Sequence, residues 1–134
     1  MEYFDQSGNI KTELLDEKAA SIAESFVEKD RRNPNRLSRG SLSSAQMRRF
    51  FSEFRQLEKK VKFKDFDKVK PLIKMVKSKA SYAANRPTPI PKTFKDFLVN
   101  NINGINTKED FEAFMLHFEA VVGFFYGVPG VRNN

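Results

Sequence analysis

The 134-residue sequence predicts an all-α fold, a compact bundle of about five helices that forms a single helical domain over residues 1–134. Two observations support this prediction. Apolar residues recur at helical spacing along nearly the whole chain and never alternate convincingly as they do in a strand. Hydrophobic residues make up 40% of the chain and include 14 Phe, which supplies enough apolar side-chain area for a core. No heptad pattern is sustained, so a coiled coil is not expected.

The N-terminal part is predicted to form a polar tail, one helix and a basic loop. The tail covers residues 1–11, and the helix runs from about Thr12 to Glu28. The apolar residues of this helix share one face: Leu15, Ala19, Ile22, Ala23 and Phe26. Residues 30–42 form the basic loop, which contains a proline, a glycine and four arginines. The loop buries too little apolar surface to fold alone, so we expect it to be mobile without its partner.

The central part is predicted to contain a second and a third helix. Ser43 is a favourable N-cap for the second helix, and Gln46 three residues later completes a capping box. Pro71 either kinks one long helix or lies in the first turn of a third helix. The sequence therefore leaves open whether residues 62–72 form one bent helix or two. The third helix is predicted to stop before Arg86, where a proline-rich connector begins.

The C-terminal part is predicted to contain two further helices and a tail. The fourth helix runs from about Lys92 to Asn103, with Gly104 as its stop signal. Asn106 or Thr107 caps the fifth helix, whose apolar stripe consists mostly of Phe and Val. Residues 128–134 form the C-terminal tail, because a glycine and a proline end the helix just before and within it.

The composition argues against several classes of protein. The chain has no Cys and therefore no disulfide, so we expect a reducing, cytoplasmic location. The first eleven residues have no apolar core of a signal peptide, and no stretch approaches 18 consecutive apolar residues. We therefore expect neither secretion nor association with a membrane.

Catalytic residue sets are also missing from the sequence. With one His and no Cys, it offers no Cys–His pair and no zinc-binding cluster of usual spacing. We expect His117 to be a partly exposed structural histidine on the fifth helix. Glu109 and Asp110 are adjacent carboxylates, but they lie at a helix start, where acidic residues favour the helix dipole. The sequence therefore predicts a protein that is not an enzyme and binds no cofactor or metal.

Positive charge is concentrated in the middle of the chain. Residues 31–92 have 18 basic and 4 acidic side chains, a net charge of +14. Residues 1–30 have a net charge of −5 and residues 93–134 a net charge of −2, so the overall charge is only +7. A segment of this kind attracts a polyanion, and nucleic acid is the commonest one. A basic surface that serves solubility alone is the simpler alternative.

The basic residues of the second and third helices fall in rows. Four cations share one face of the second helix: Arg48, Arg55, Lys59 and Lys62. The third helix has five basic residues and no acidic one after Val69: Lys70, Lys74, Lys77, Lys79 and Arg86. Like charges at this spacing destabilise a helix, so their accumulation favours an external anion. The expected contacts are with phosphates, which position a nucleic acid without reading its sequence.

Three segments of the chain follow the pattern of a known family. The first is LSSAQMRRFF at residues 42–51, the second is KASYAANR at residues 79–86, and the third runs over residues 111–127 and ends in FEAVVGFFYG. In this order and spacing, they resemble the small subunits of type III-A CRISPR–Cas (Csm) effector complexes. The resemblance covers about residues 15–128.

The resemblance implies a non-catalytic helical bundle that stacks in several copies along the duplex of guide RNA and target RNA. Its implied partners are both RNAs, the other subunits of the Csm complex and further copies of the chain. Four residues match basic positions of the family and are the leading candidates for RNA contact: Arg48, Arg49, Lys79 and Arg86. Four arginines of the basic loop come next: Arg31, Arg32, Arg36 and Arg39. Lys74 and Lys77 rest on the charge argument alone.

Two other classes of function remain open from the residues alone. A stand-alone helical DNA-binding regulator needs a tight turn of three to four residues between two helices. The long basic loop and the proline-rich connector fit that requirement poorly. A protein-interaction adapter would direct its basic face towards an acidic partner. The acidic first helix and the basic third helix also favour head-to-tail contact between copies of the chain.

Overall fold

The computed structural model describes residues 2–131, and within this range the protein is an all-α bundle with no β-sheet. A 3-10 helix at Thr12–Leu15 precedes five α-helices. Their bounds are as follows: α1 Glu17–Glu24, α2 Ser44–Phe63, α3 Phe66–Ala84, α4 Lys92–Asn103 and α5 Lys108–Tyr126. The predicted fold class, a compact bundle of about five helices, is confirmed.

A cluster of phenylalanine rings forms the centre of the core. α5 packs against α1, α2 and the 3-10 helix, while α3 packs against α2 and α4. The rings of the cluster meet mostly edge to face: Phe26, Phe50, Phe54, Phe94, Phe97, Phe114 and Phe118. Each such pair stabilises the fold by about 0.5–1.5 kcal/mol beyond the area that it buries. The cluster holds α2, α4 and α5 together, and thereby determines which side of α2 remains at the surface.

Two capping boxes begin the long helices α2 and α5. Ser43 Oγ accepts a hydrogen bond from Gln46 N at 3.1 Å, and Gln46 Oε1 accepts one from Ser43 N at 2.9 Å. The predicted start of the second helix is therefore confirmed. Thr107 and Asp110 form the same reciprocal pair, which decides the start of α5 in favour of Thr107. Both boxes satisfy backbone N–H groups that have no partner within the helix.

The predicted first helix, from about Thr12 to Glu28, is wrong at both ends. The chain forms a 3-10 turn, breaks at Asp16, where φ is −133° and ψ is −117°, and is α-helical only over Glu17–Glu24. Beyond the helix, Phe26 turns into the aromatic cluster, and its carbonyl accepts a hydrogen bond from Leu42 N at 2.8 Å. Tertiary packing of Phe26 thus takes the chain out of the helix before the amphipathic pattern ends.

The N-terminal segment, for which the sequence predicts a polar tail over residues 1–11, packs against the bundle over residues 2–11. Tyr3 is 1% exposed, and its hydroxyl donates a hydrogen bond to Oδ1 of Asn101 on α4 at 2.9 Å. Burial raises the pKa of the Tyr3 hydroxyl. An antiparallel bridge between Phe4 and Ile10 closes the segment. The few apolar residues here follow no period, so the sequence carried no signal for this burial.

The basic loop folds back on itself and lies against the C-terminal segment. An antiparallel bridge joins Lys29 to Leu37, and Asp30 N donates to the carbonyl of Arg36 at 2.9 Å. Gly130 has a φ of 95°, and a Cβ at this position would lie 3.0 Å from Cγ of Leu37, so the close approach requires glycine. Of the predicted C-terminal tail, residues 132–134 lie outside the described part of the chain.

Residues 62–72 belong to two separate helices rather than to one bent helix. α2 ends at Phe63 and α3 begins at Phe66, so the interruption precedes Pro71 by several residues. Pro71 lies in the second turn of α3 rather than in its first turn or at a kink between helices. Its ring is exposed, so water can reach the carbonyl of Asp67 that has lost its usual N–H donor.

His117 is fully buried, which corrects the prediction of a partly exposed side chain. Its Nδ1 lies 2.5 Å from the carbonyl oxygen of Leu14, and this pairing requires a proton on Nδ1. Nε2 is buried and has no hydrogen-bond partner among the described residues. Burial lowers the pKa of His117, although the Leu14 carbonyl raises it, and nearby Lys18 lowers it further. His117 is therefore a neutral core residue that joins α5 to the N-terminal segment.

Candidate nucleic-acid interface

A groove of about 490 Å³ lies between α2 and α3. Only Lys64 and Asp65 separate the two helices, so they form a hairpin in which the start of α2 lies beside the end of α3. This arrangement brings together side chains that are up to 37 positions apart in sequence. Its charged and aromatic lining residues come from α2, from α3 and from just beyond the end of α3: Arg49, Phe50, Glu53, Lys79, Tyr82 and Arg86. Three of the four leading candidates therefore share one surface.

The lining side chains of this groove differ in how they are paired. Lys79 forms an ion pair with Glu53 across the groove. The guanidinium of Arg86 lies 5.1 Å from the ring centroid of Tyr82, and Nη1 donates a hydrogen bond to the Tyr82 hydroxyl. Arg49 is exposed and has no salt bridge to any residue of the described range. The groove thus offers two arginines without an acidic partner and one lysine that shares a carboxylate.

The groove continues towards the basic loop. A second depression, of about 350 Å³, also contains Arg49 and Arg86 and extends to Ser43 at the start of α2. A third, of about 390 Å³, shares Ser43 and adds Arg39 from the basic loop. Gln46 Nε2 donates a hydrogen bond to the carbonyl of Thr88 at 3.1 Å, which ties the first turn of α2 to the connector after α3. A continuous surface therefore leads from the loop into the groove.

The remaining arginines of the basic loop are also at the surface. Arg31, Arg32 and Arg36 are all exposed, like Arg39. Arg36 borders a separate depression of about 580 Å³ between the loop and Gly130. Arg31, Arg32 and Arg36 do not line the groove between α2 and α3.

Arg48 lies outside the groove although it is adjacent to Arg49. Consecutive residues point about 100° apart around a helix, and Arg48 shares its face with Arg55, seven positions on. The Arg55 guanidinium lies 4.8 Å from the Phe51 ring centroid, and its Nη2 is 3.4 Å from Oε1 of Glu119 on α5. The face of Arg48 therefore runs along the α5 side of α2. Arg48 itself is exposed there.

Lys74 and Lys77 point in another direction, towards the C-terminus of α4. Lys74 Nζ donates to the carbonyl of Ile102 at 2.7 Å, and Lys77 Nζ donates to Oδ1 of Asn103 at 2.7 Å. Burial lowers the pKa of Lys74, and the charges of Lys77 and Lys70 lower it further. Both ammonium groups thus lie at the C-terminal end of α4, where the helix dipole favours a cation.

Tyr82 is the groove residue that reasoning from charge alone did not select. Its side chain is 65% exposed, and it lies three residues after Lys79 and four before Arg86. An aromatic residue off the apolar stripe and between two cations was the available signal. Among residues 2–131, no group of three or more His, Cys, Asp or Glu side chains is arranged to hold a metal ion.

The fold and the groove define a small helical protein that presents cations from one face of a helical hairpin. Comparison with protein families identifies the family. The model described as Csm2 Type III-A matches residues 10–127, so the chain belongs to this family. The resemblance seen in the sequence is confirmed: the chain is a small subunit of a type III-A CRISPR effector complex.

Membership of this family also defines the kind of role that the chain has. The family comprises structural small subunits, and the chain associates with other subunits of the Csm complex. Searches with the chain found no matching curated protein and no matching solved structure. None of the helices in the described range is both long enough and apolar enough to span a membrane.

Proposed function

We propose that this Csm2 family subunit binds the duplex of guide RNA and target RNA through its sugar–phosphate backbone, with the α2–α3 groove as the principal contact. The observation that carries the proposal is the convergence of Arg49 from α2, Lys79 from α3 and Arg86 from just beyond α3 on one open surface. Arginine and lysine side chains in such a groove suit phosphate oxygens, which they contact without reading the base sequence. The subunit then contributes affinity and position rather than sequence recognition.

The pairing of each cation supports a ranking of the proposed contacts. Arg49 and Arg86 have no acidic partner to displace, whereas Lys79 must leave Glu53 or share it with a phosphate. An exposed ion pair of this kind contributes only about 0–1 kcal/mol, so a phosphate can replace it at little cost. Arg48 and the four loop arginines are proposed as flanking contacts: Arg31, Arg32, Arg36 and Arg39. Lys74 and Lys77 are left out, because their ammonium groups already bind α4.

The number of groove cations implies weak binding by a single copy. Each phosphate that is neutralised contributes roughly 0.7 to 0.9 to the slope of log affinity against log salt concentration. Three contacts give a shallow dependence and a low affinity at physiological salt. Several copies held along one duplex raise the effective concentration of each site, so weak single contacts become a stable grip.

The test is a comparison of two variants with the same net charge. The groove variant carries Arg49→Gln, Lys79→Gln and Arg86→Gln, and the control carries Lys18→Gln, Lys92→Gln and Lys108→Gln, which are exposed lysines outside the groove. Binding of an RNA duplex is measured by fluorescence anisotropy between 20 and 200 mM salt. We expect the groove variant to lose roughly ten- to hundred-fold in affinity and about 2 in salt slope.

Four outcomes of this test would contradict the proposal. Equal losses in both variants would mean that only overall charge matters. Unchanged binding by the groove variant would move the contact elsewhere on the chain. Failure of the unaltered protein to bind RNA at 20 mM salt would favour the protein-interaction adapter, and a preference for DNA duplex would favour the regulator.

We also propose that copies of the chain contact each other along the assembly. The 3-10 helix and α1 region expose a set of carboxylates: Glu13, Asp16, Glu17 and Glu24. The junction of α2 and α3 exposes a set of lysines: Lys59, Lys60, Lys62, Lys64 and Lys68. These surfaces have opposite charge and attract each other between copies. Sedimentation should show mass that increases with concentration at 50 mM salt and less at 500 mM; monomers at both would contradict this proposal.

A further inference from the structure

Tyr82 exposes an aromatic ring in the middle of the cationic groove. It is 65% exposed, whereas Tyr3 is buried and Tyr126 is half-buried against α5 residues. Apart from the guanidinium of Arg86, no aromatic or cationic group of the described residues stacks on this ring. Cations bind phosphate oxygens, and an exposed aromatic ring does not contribute to such contacts. The ring therefore adds a property that the backbone contacts do not explain.

Arg86 holds this ring in one orientation. The guanidinium lies 5.1 Å from the ring centroid and also donates a hydrogen bond to the hydroxyl, so the two side chains restrain each other. A cation over an aromatic face is attracted by the ring electrons. Because this contact restrains both side chains, stacking of a planar ligand on the pair costs the protein less side-chain freedom. Pre-ordered aromatic and guanidinium planes are the surfaces on which unpaired nucleobases stack.

The surroundings of the ring suit a nucleotide rather than a purely apolar ligand. The groove has a volume of about 490 Å³, and Arg49 and Lys79 flank the ring within it. One nucleotide can therefore place its base on Tyr82 and its phosphate on an adjacent cation. A base inside a continuous duplex has both faces covered by its neighbours, so it cannot use this platform.

We infer that the Tyr82–Arg86 pair is a stacking platform for one unpaired nucleobase, so that the groove binds an RNA duplex with an unpaired nucleotide better than a continuous duplex. This inference rests on the proposed function and adds to it the class of nucleotide that the groove takes. The base stacks on the ring, and its identity matters little, since every base has a π-face.

The test uses the full chain, three RNA probes, two variants of Tyr82 and one variant of the groove cations. The probes are a continuous duplex, the same duplex with one unpaired adenosine, and the same duplex with an abasic ribose in place of that adenosine. Tyr82→Leu removes the ring, while Tyr82→Phe keeps it and removes only the hydroxyl. Tyr82 is exposed, so the urea unfolding midpoints of both variants are expected to stay unchanged and serve as the control for folding.

The unaltered protein is expected to bind the adenosine probe roughly ten-fold more tightly than the abasic probe. Tyr82→Phe should keep most of this preference, and Tyr82→Leu should lose it. The salt slope should be the same for all three proteins, because the cations are unchanged. A double variant, Arg49→Gln with Lys79→Gln, provides the converse case: because it retains Arg86 and Tyr82, it should lose salt slope but keep the preference for a base.

The outcomes separate this inference from the proposed function. Equal binding of the adenosine and abasic probes, with a normal salt slope, would overturn the inference and leave phosphate binding intact. A preference that survives Tyr82→Leu would also overturn it. Absence of binding to any probe at 20 mM salt would overturn both. If Tyr82→Leu leaves RNA binding unchanged but weakens association with other Csm subunits, the ring is a protein contact and the inference is wrong.

Discussion

Lys79 and Arg86 border the groove against α2, whereas Lys74 and Lys77 reach to the C-terminus of α4. The three lysines belong to α3 and Arg86 lies two residues after its end, and the sequence presents all four as one basic run. In the structure, the first pair lies on an open surface and the second pair serves the packing of the bundle. A basic run in the sequence therefore contains both cations that line an open surface and cations that bind another helix of the bundle.

The difference follows from where the neighbouring helices lie. α3 packs against α2 on one side and against α4 on the other. α4 ends at Asn103, where the helix dipole favours a cation and Lys74 donates to the carbonyl of Ile102. On the α2 side, Arg49, Lys79 and Arg86 line an open groove, and neither arginine has an acidic partner among the described residues. Residues of the same type thus differ in their contacts because different elements pack beside them.

The largest effect is expected from removing the internal pair. Replacement of Lys74 and Lys77 by Met keeps the aliphatic side chains but removes the hydrogen bonds to Ile102 and Asn103. We expect a loss of about 1–2 kcal/mol in the free energy of unfolding, measured with urea, since both contacts involve charged donors that are partly exposed. The salt slope of RNA binding should stay within error of the unaltered protein. A slope lower by about 1 or more would place these lysines on RNA and remove the distinction between the two pairs.

A smaller effect is expected from releasing Lys79. Glu53→Gln removes the carboxylate that pairs with Lys79 and leaves the shape of the groove unchanged. RNA affinity should increase about two- to five-fold, because the lysine no longer divides its charge, and stability should change by less than about 1 kcal/mol. Glu58→Gln, which removes a partner of Arg55 outside the groove, is the matched control. An equal gain in both variants would show that net charge, and not the groove, sets the affinity.

The smallest effect is expected from acidification, which should lower the stability of the fold without changing the charge of the groove. Burial lowers the pKa of His117 below its ordinary value of about 6.5. As the pH falls below 6.5, the unfolded chain therefore binds a proton at His117 more readily than the folded chain does. The stability contributed by neutral His117 is therefore present above pH 6.5 and decreases as the pH falls below it. Between pH 8 and 5.5, urea midpoints should decrease for the unaltered protein and stay flatter for His117→Asn.

RNA binding by the folded protein provides the internal control for this prediction. Arginine and lysine side chains in general titrate well above pH 8, so affinity should not weaken while the protein remains folded. Midpoints that vary equally in His117→Asn would assign the pH dependence to other groups. Affinity that falls together with stability would connect the groove to the buried histidine.

Local signals explain how much of the fold the sequence predicts. Capping residues act on backbone groups within three positions, so Ser43 and Thr107 mark the starts of α2 and α5 correctly. Local signals do not predict the structure of the N-terminal segment, where Tyr3 is buried and donates a hydrogen bond to Asn101, 98 positions away. They also fail at Phe26, which leaves a helical pattern to join rings from α4. These errors occur where long-range contacts override local preference.

Sequence reasoning also predicts some residues of the candidate site and misses others. Motif and charge together point to Arg49, Lys79 and Arg86, and the structure places all three in one groove. They also point to Arg48, which faces the α5 side instead, because one position along a helix changes direction by about 100°. The exposure of Tyr82 depends on how closely α2 approaches α3, and helical spacing does not contain that information.

The sequence by itself determined the helical class, the main capping residues, the basic middle and the family pattern, because each depends on residue type and spacing within short stretches. The tertiary structure alone decided which cations remain open to an external anion. Lys74 and Lys77 form hydrogen bonds with α4 residues 26 to 28 positions later in the sequence. Arg49 and Arg86 line the same groove only because a two-residue connection folds α3 back along α2. The direction of a side chain is local, but its partner depends on which helix packs beside it.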